Sequence, residues 1–203
     1  ASDWSSDVCS SDLNLRTKNN SNVSHGAIYH THSDATAPED YSWRITADSI
    51  PFNNTNWNDT APTASVFSVG NGTDTNSTGA SYINWLFSNS KGALAIGGYT
   101  GNNSASGPFV NCLFKPKLII IKELSSAGDW FLFDNVRGGT RAVKFNEDDA
   151  EVTTGIDIEF WSTGFRIVNT DADLNASAAT YIFVAFAEEG IGRAITPANG
   201  IVT

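Results

Sequence analysis

The chain has 203 residues, with 22 acidic against 12 basic side chains, a formal charge of −10, two cysteines and no methionine. An acidic chain without basic runs argues against nucleic-acid binding, because neutralising phosphates takes clustered Lys and Arg. The longest apolar run, Tyr181 to Ala187, is too short to insert across a bilayer.

Residues 2–13 read as the translation of a sequencing-adapter oligonucleotide, with neither the basic nor the apolar region of a signal peptide. Residues 1–13 are therefore expected to be a non-native leader. Asp3, Asp7, Asp12 and Cys9 go with it, and Cys112 then stands alone, so no disulfide framework or cysteine zinc site is supported.

The rest is rich in Asn, Ser, Thr and Gly, lacks helical periodicity, and carries frequent turn signals, which together read as all-β. From Asn14 onward, Ala27-Ile28-Tyr29-His30 is a short apolar stretch. The polar segment Gly70 to Gly79 is a loop, with Asn71-Gly72 as a tight-turn signal. Tyr82 to Phe87 follows it. Ala93 to Tyr99 reads as a strand bent at Gly97-Gly98, and Gly101 to Pro108 as a loop. Lys117 to Lys122 is an apolar, β-branched run suited to a buried strand. Gly128-Asp129 turns the chain into a strand over Trp130 to Asn135, Arg141 to Phe145 pairs briefly, and Glu147 to Glu151 is an acidic loop. Ile156 to Trp161 alternates, with Ile156, Ile158 and Phe160 on one face and Asp157, Glu159 and Trp161 on the other. Phe165 to Asn169 is a strand behind the Ser162-Thr163-Gly164 turn. Tyr181 to Ala187, apolar on both faces, suits a central strand of a sandwich.

One phrase occurs twice. Asn76, Tyr82, Ile83 and Phe87 recur 99 residues later as Asn175, Tyr181, Ile182 and Phe186. Ala27 to His30 answers Phe131 to Asp134, and Lys18 is taken to answer Lys122. A repeat of this size means two domain-sized units rather than a solenoid. The expected fold is all-β: two tandem β-sandwich, jelly-roll-like units, at 14–90 and 91–190, followed by a tail at 191–203. The first unit is truncated at its N-terminus, lacks the counterpart of Gly92 to Leu118, and should show an unpaired strand edge.

Gly98-Tyr99-Thr100-Gly101-Asn102, Phe114-Lys115-Pro116, Gly128-Asp129-Trp130-Phe131, Gly164-Phe165-Arg166-Ile167 and Tyr181 to Glu188 occur in that order, with Trp57 to Thr63 in the first unit. Together they resemble a β-rich domain that recurs in tandem in structural and tail-associated proteins of tailed bacteriophages, often beside laminin-G or concanavalin-like modules. The resemblance spans residues 14 to about 189. It implies a virion component, localised in the extracellular particle and partnered by other virion proteins or by further copies of itself. It brings no catalytic motif and no cofactor.

Several side-chain groups could carry chemistry. Asp171, Asp173 and Asn175 resemble the opening of a calcium loop, but Ala176 and Ile182 stand where an EF-hand needs Gly and Glu; a polar turn is the other reading. His30 and His32, with His25 nearby, could form half of a metal site on a strand, or be exposed strand-end histidines. Asp157 and Glu159 would lie about 7 Å apart on one strand face, a spacing compatible with glycoside hydrolysis or with a solvated face. Trp161, on that acidic face, is the best candidate for an exposed platform against a host-surface glycan, whereas Trp85 and Trp130 are expected in the core. These residues leave three functions open: a non-enzymatic structural or adhesion module, a carbohydrate-binding module, or, last, a polysaccharide-degrading enzyme.

Overall fold

The computed structural model describes residues 12–19, 26–46, 52–53 and 55–188. The leader up to residue 11, His25 and the tail expected at 191–203 lie outside the described residues. What is described is mostly β, in three antiparallel sheets. Along the chain come β1 (Leu13–Asn19), β2 (Ala27–His30), β3 (Tyr41–Arg44), β4 (Phe52–Asn53), the one-turn helix α1 (Thr73–Asn76) and β5 (Ser81–Phe87). Then follow β6 (Leu94–Thr100), β7 (Phe109–Asn111), β8 (Pro116–Glu123), β9 (Trp130–Asp134) and β10 (Val143–Lys144). The last elements are β11 (Ile158–Trp161), β12 (Gly164–Ile167), the one-turn helix α2 (Ala172–Asn175) and β13 (Thr180–Ala187).

The first sheet has the order β4-β3-β2-β1-β5, the second β10-β9-β8-β13-β6, and the third β11-β12-β7. The second sheet is the middle layer. Ile119 and Ile121 of β8, Phe131 and Phe133 of β9, and Tyr181 and Phe183 of β13 pack toward Val110, Ile158, Phe165 and Ile167 of the third sheet. The alternate residues Ile120, Trp130 and Ile182 pack the other way, with Ile28, Trp43, Leu13 and Leu15 of the first sheet. Burial on both faces is why β8 and β13 read as unbroken apolar runs rather than as alternating ones. The inner face of the first sheet therefore closes on the second sheet instead of on a core of its own. Its outer face is covered by the irregular segment after β4, where Trp57 packs on Ala27 and Tyr29.

The first and second sheets share the neighbour order β3-β2-β1-β5 and β10-β9-β8-β13. Leu13 faces both His30 and Phe87, while Leu118 faces both Asp134 and Phe186. This register corrects the match of Lys18 to Lys122 by one residue. Thr17, opposite Ile83, answers Lys122, opposite Ile182, and Lys18 answers Glu123. The connection from β1 to β2 is one residue longer than that from β8 to β9, and sequence spacing across a loop cannot see this. The difference matters because a one-residue slip exchanges the two faces of a strand. In the observed register Leu15 and Ile120 are equivalent, and both lie on the core shared by the two sheets.

Asp12 and Leu13, grouped above with the leader, are built into the first sheet. The Asp12 carbonyl accepts from the Thr31 N–H at 3.0 Å, and its carboxylate accepts from Asn89 N and Nδ2 at 2.7 and 3.1 Å. Trp85, expected in the core, is 43% exposed, because β5 ends the first sheet among the described residues. His30, read as an exposed strand-end residue, is buried. α1 fell within the stretch Gly70 to Gly79 read as a loop, α2 within the polar turn, and β7 within the stretch between Pro108 and Lys117 that was given no element. Three residues of strand and four of helix are too short to show a period.

Candidate functional site

The third sheet turns one face to the core and the other to solvent. Ile158, Phe165, Ile167 and Val110 point inward. The alternate residues form two outward rows, Glu159–Arg166–Phe109 and Trp161–Gly164–Asn111. Gly164 is required where it stands, because a Cβ there would lie 1.9 Å from the Val110 carbonyl oxygen of β7. Without a side chain at that position, nothing rises between Trp161 and the neighbouring strand. Trp161 meets Phe109 edge to face at 6.2 Å between ring centroids. The two rings are 48% and 47% exposed, which is unusual for a pair of large aromatics that could have been buried.

Polar groups border the rings. The Trp161 Nε1–H donates to Glu159 Oε2 at 3.0 Å, fixing the indole against its own strand. Arg166 donates from Nε to the Gly107 carbonyl at 3.4 Å and from its terminal nitrogen to Ser106 Oγ. The result is a flat aromatic surface with a carboxylate, a guanidinium and the Asn111 amide around it. Such a surface can pack on an apolar sugar face or a peptide side chain while its rim makes hydrogen bonds.

Trp161 and Glu159, singled out from sequence, are brought together here. Asp157 lies just before β11, where its backbone carbonyl accepts from Val168 N at 3.0 Å and Asn169 Nδ2 at 2.8 Å. Phe109 and Arg166 were missed. The signal for Arg166 was the alternation of Gly164-Phe165-Arg166-Ile167, while β7 is too short to announce Phe109. Trp57 is a core residue against Tyr29.

The calcium-loop residues have structural occupations. Asp171 is the N-cap of α2 and accepts from Asp173 N at 2.9 Å. Asn175 is buried, accepts from Asn102 N, and donates to the Ser104 and Asn169 carbonyls. Asp173 has its carboxyl pushed above the usual range by burial, then by the charges of Asp171, Asp129 and Glu123. Among the described residues no three His, Cys, Asp or Glu side chains are grouped to hold a metal ion. In the first sheet the equivalent Asp74 pairs with Arg44 at 3.1 Å, and Asn76 donates to the Gly70 carbonyl.

Two other features sit away from the aromatic face. A polar cleft of about 370 Å³, lined by Thr55, Asn58, Asp59, Asn71 and Asn76 among others, opens beside α1. Cys112 is a core residue whose thiol is pushed up to about 12 by burial, so it stays protonated and unreactive.

No curated protein and no solved structure matches this chain. A family model does, over residues 9–190, a stretch that runs through all three sheets. The chain belongs to the family described as a domain of unknown function, DUF7483.

Proposed function

We propose that this chain is a non-catalytic structural and adhesion module of a bacteriophage particle, tail- or tail-fibre-associated, that works through its surface. The observation that carries a surface role is the Trp161–Phe109 pair, two half-exposed aromatics on a sheet whose other face is fully packed. The place in a phage particle is supported by the resemblance of the ordered phrases described above. The polar residues that repeat between the two halves are engaged in internal hydrogen bonds, as befits a scaffold.

We read the chain as tandem copies of one unit. In the second copy the outer strands nest: β6 lies beside β13, and β7 beside β12. This first-with-last pairing is the habit of jelly-roll sandwiches. Neighbouring genes test the particle assignment: adjacent tail or capsid genes are expected, and a neighbourhood without virion genes would overturn it.

A second reading, recognition of host-surface glycans, is favoured by the same aromatic pair. Binding of the full chain to a panel of bacterial surface polysaccharides should be saturable, and should fall by at least about fivefold in Trp161→Ala, the loss of one stacked ring being worth roughly 1–3 kcal/mol. Unchanged binding in a folded Trp161→Ala protein would remove the platform from the account. Polysaccharide cleavage is the weakest of the three, because the Glu159 carboxylate is held by the Trp161 indole.

A further inference from the structure

Glu123 is a buried carboxylate without a counter-charge. It ends β8 on the strand face that carries Ile119 and Ile121. It is 3% exposed, and among the described residues nothing donates to its Oε2. None of the ion pairs among the described residues includes it. The ammonium next to it in sequence, Lys122 Nζ, donates to the Glu123 backbone carbonyl at 2.9 Å instead. A charge held this way is among the costliest groups in a protein interior, and it calls for a proton, an ion pair or a bound cation.

The orphaned oxygen looks toward other acids. α2 lies against β8, and the turn between β8 and β9 brings Gly128 to the same place. Gly128 has no Cβ, and the point where one would stand is 3.0 Å from Asp173 Oδ1 and 3.5 Å from Glu123 Oε2. Asp173 also feels the charges of Asp171 and Asp129. Those two are already engaged. Asp171 caps α2, and Asp129 pairs with Lys144 at 2.9 Å and accepts from Asn146 Nδ2 at 2.9 Å. That leaves Glu123 and Asp173 facing each other beside Gly128. Asp173 is partly open to solvent, which gives the buried Glu123 a route to water.

We propose that Glu123 and Asp173, on either side of Gly128, bind a hard divalent cation, calcium in the first place. Calcium accepts carboxylate, carbonyl and water oxygens in irregular sets, whereas magnesium demands a near-ideal octahedron. Two carboxylates match its charge, and water entering past Asp173 completes the shell. Asp171 and Asp129 add negative field without being ligands. The arrangement is not a calcium loop, because Asp171 and Asn175 are held by backbone groups. The ion ties the end of β8, the turn after it and α2 together. The site is independent of the aromatic face of the third sheet.

The full chain, stripped with a chelator, is titrated with calcium chloride by calorimetry, and its urea midpoint is measured with and without the ion. Saturable uptake is expected, with a higher midpoint in calcium, because a ligand of the folded state alone stabilises it. Glu123→Gln keeps the shape and removes the charge. It should bind at least about tenfold more weakly, since even the outer-shell partners of a metal contribute that much. Asp173→Asn should do the same. Gly128→Ala changes no charge but sets a methyl group against the Asp173 carboxylate, and it should weaken uptake too. Asp148→Asn, exposed in the acidic loop, removes one charge elsewhere and should leave uptake unchanged. Unaltered amide hydrogen exchange along β8 shows that each variant is folded. Absence of saturable uptake at millimolar calcium overturns the proposal. So does uptake that Glu123→Gln, Asp173→Asn or Gly128→Ala leaves unchanged, which marks an ion held loosely by the acidic surface. A carbon NMR signal showing the Glu123 carboxyl protonated at neutral pH in saturating calcium also overturns it, because a proton then neutralises the group.

Discussion

His30 shows how far one residue can move from its counterpart. Its equivalent Asp134 ends β9 in a surface turn, accepting from Val136 N and Arg137 N and pairing with Arg137. His30 ends β2 against the second sheet and is buried, with Nδ1 accepting from His32 N at 3.0 Å. Burial first, and then the neighbouring His32, push its pKa down from 6.5 to about 3; the nearby Phe183 backbone works in the opposite direction. Between those values the unfolded chain carries a proton on this ring that the folded protein refuses. Stability from this group is therefore complete above pH 6.5 and is lost as pH falls toward 3, by about 1.4 kcal/mol per pH unit. Urea midpoints measured from pH 7 to pH 4.5 should show a shallower slope in His30→Asn, which keeps an acceptor near the Nδ1 position. An imidazole NMR signal of His30 that titrates near pH 6.5 would sink this account.

At the scale of elements, the repeated phrase turns out to be a latch between a one-turn helix and the strand that follows it. Four residues of helix do not persist alone, because nucleation costs more than so few hydrogen bonds return. In both copies a tyrosine hydroxyl from the next strand bonds a backbone N–H after the helix and a carbonyl within or beside it. The asparagine at the end of each helix donates to the backbone six residues upstream. Tyr181 is buried and Tyr82 partly open. Tyr181→Phe should accordingly cost about 1–3 kcal/mol, and Tyr82→Phe under about 1 kcal/mol, since water reaches the groups left behind. Chemical denaturation of both variants checks the order, and equal costs would contradict it. The repeated phrase was legible from Asn76, Tyr82, Asn175 and Tyr181 alone, but not the bonds that keep those residues together.

For the whole molecule, the decisive contact joins the first and second sheets. Trp43 of β3 meets Trp130 of β9 at 6.0 Å between centroids, within a cluster that draws on both halves of the chain. Separate sandwiches joined by a linker would unfold in two steps. A core shared between sheets couples them, so thermal unfolding should be a single transition. Trp43→Ala should lower its stability by about 3–5 kcal/mol, the usual cost of emptying a buried aromatic site. Loss of only the first sheet in that variant, with the second and third unaffected in hydrogen exchange, would show that the halves are independent. The match of one family model from residue 9 to residue 190 accords with a single folding body.

By itself the sequence determined the class of structure, the main strands of the second half, the repeated phrase and the exposed edge of Trp161. These depend on local alternation and on turn residues, which a single strand displays without its neighbours. It placed Trp161 beside Glu159 because both sit on one strand at a spacing of two. Only the tertiary structure decided which strand was the edge, that Phe109 and Arg166 stand beside Trp161, that Lys18 is not the counterpart of Lys122, and that His30 is buried. Each of these depends on how strands from distant parts of the chain are registered and stacked, and a one-residue difference in a loop, invisible to periodicity, settles which face of a strand meets the core.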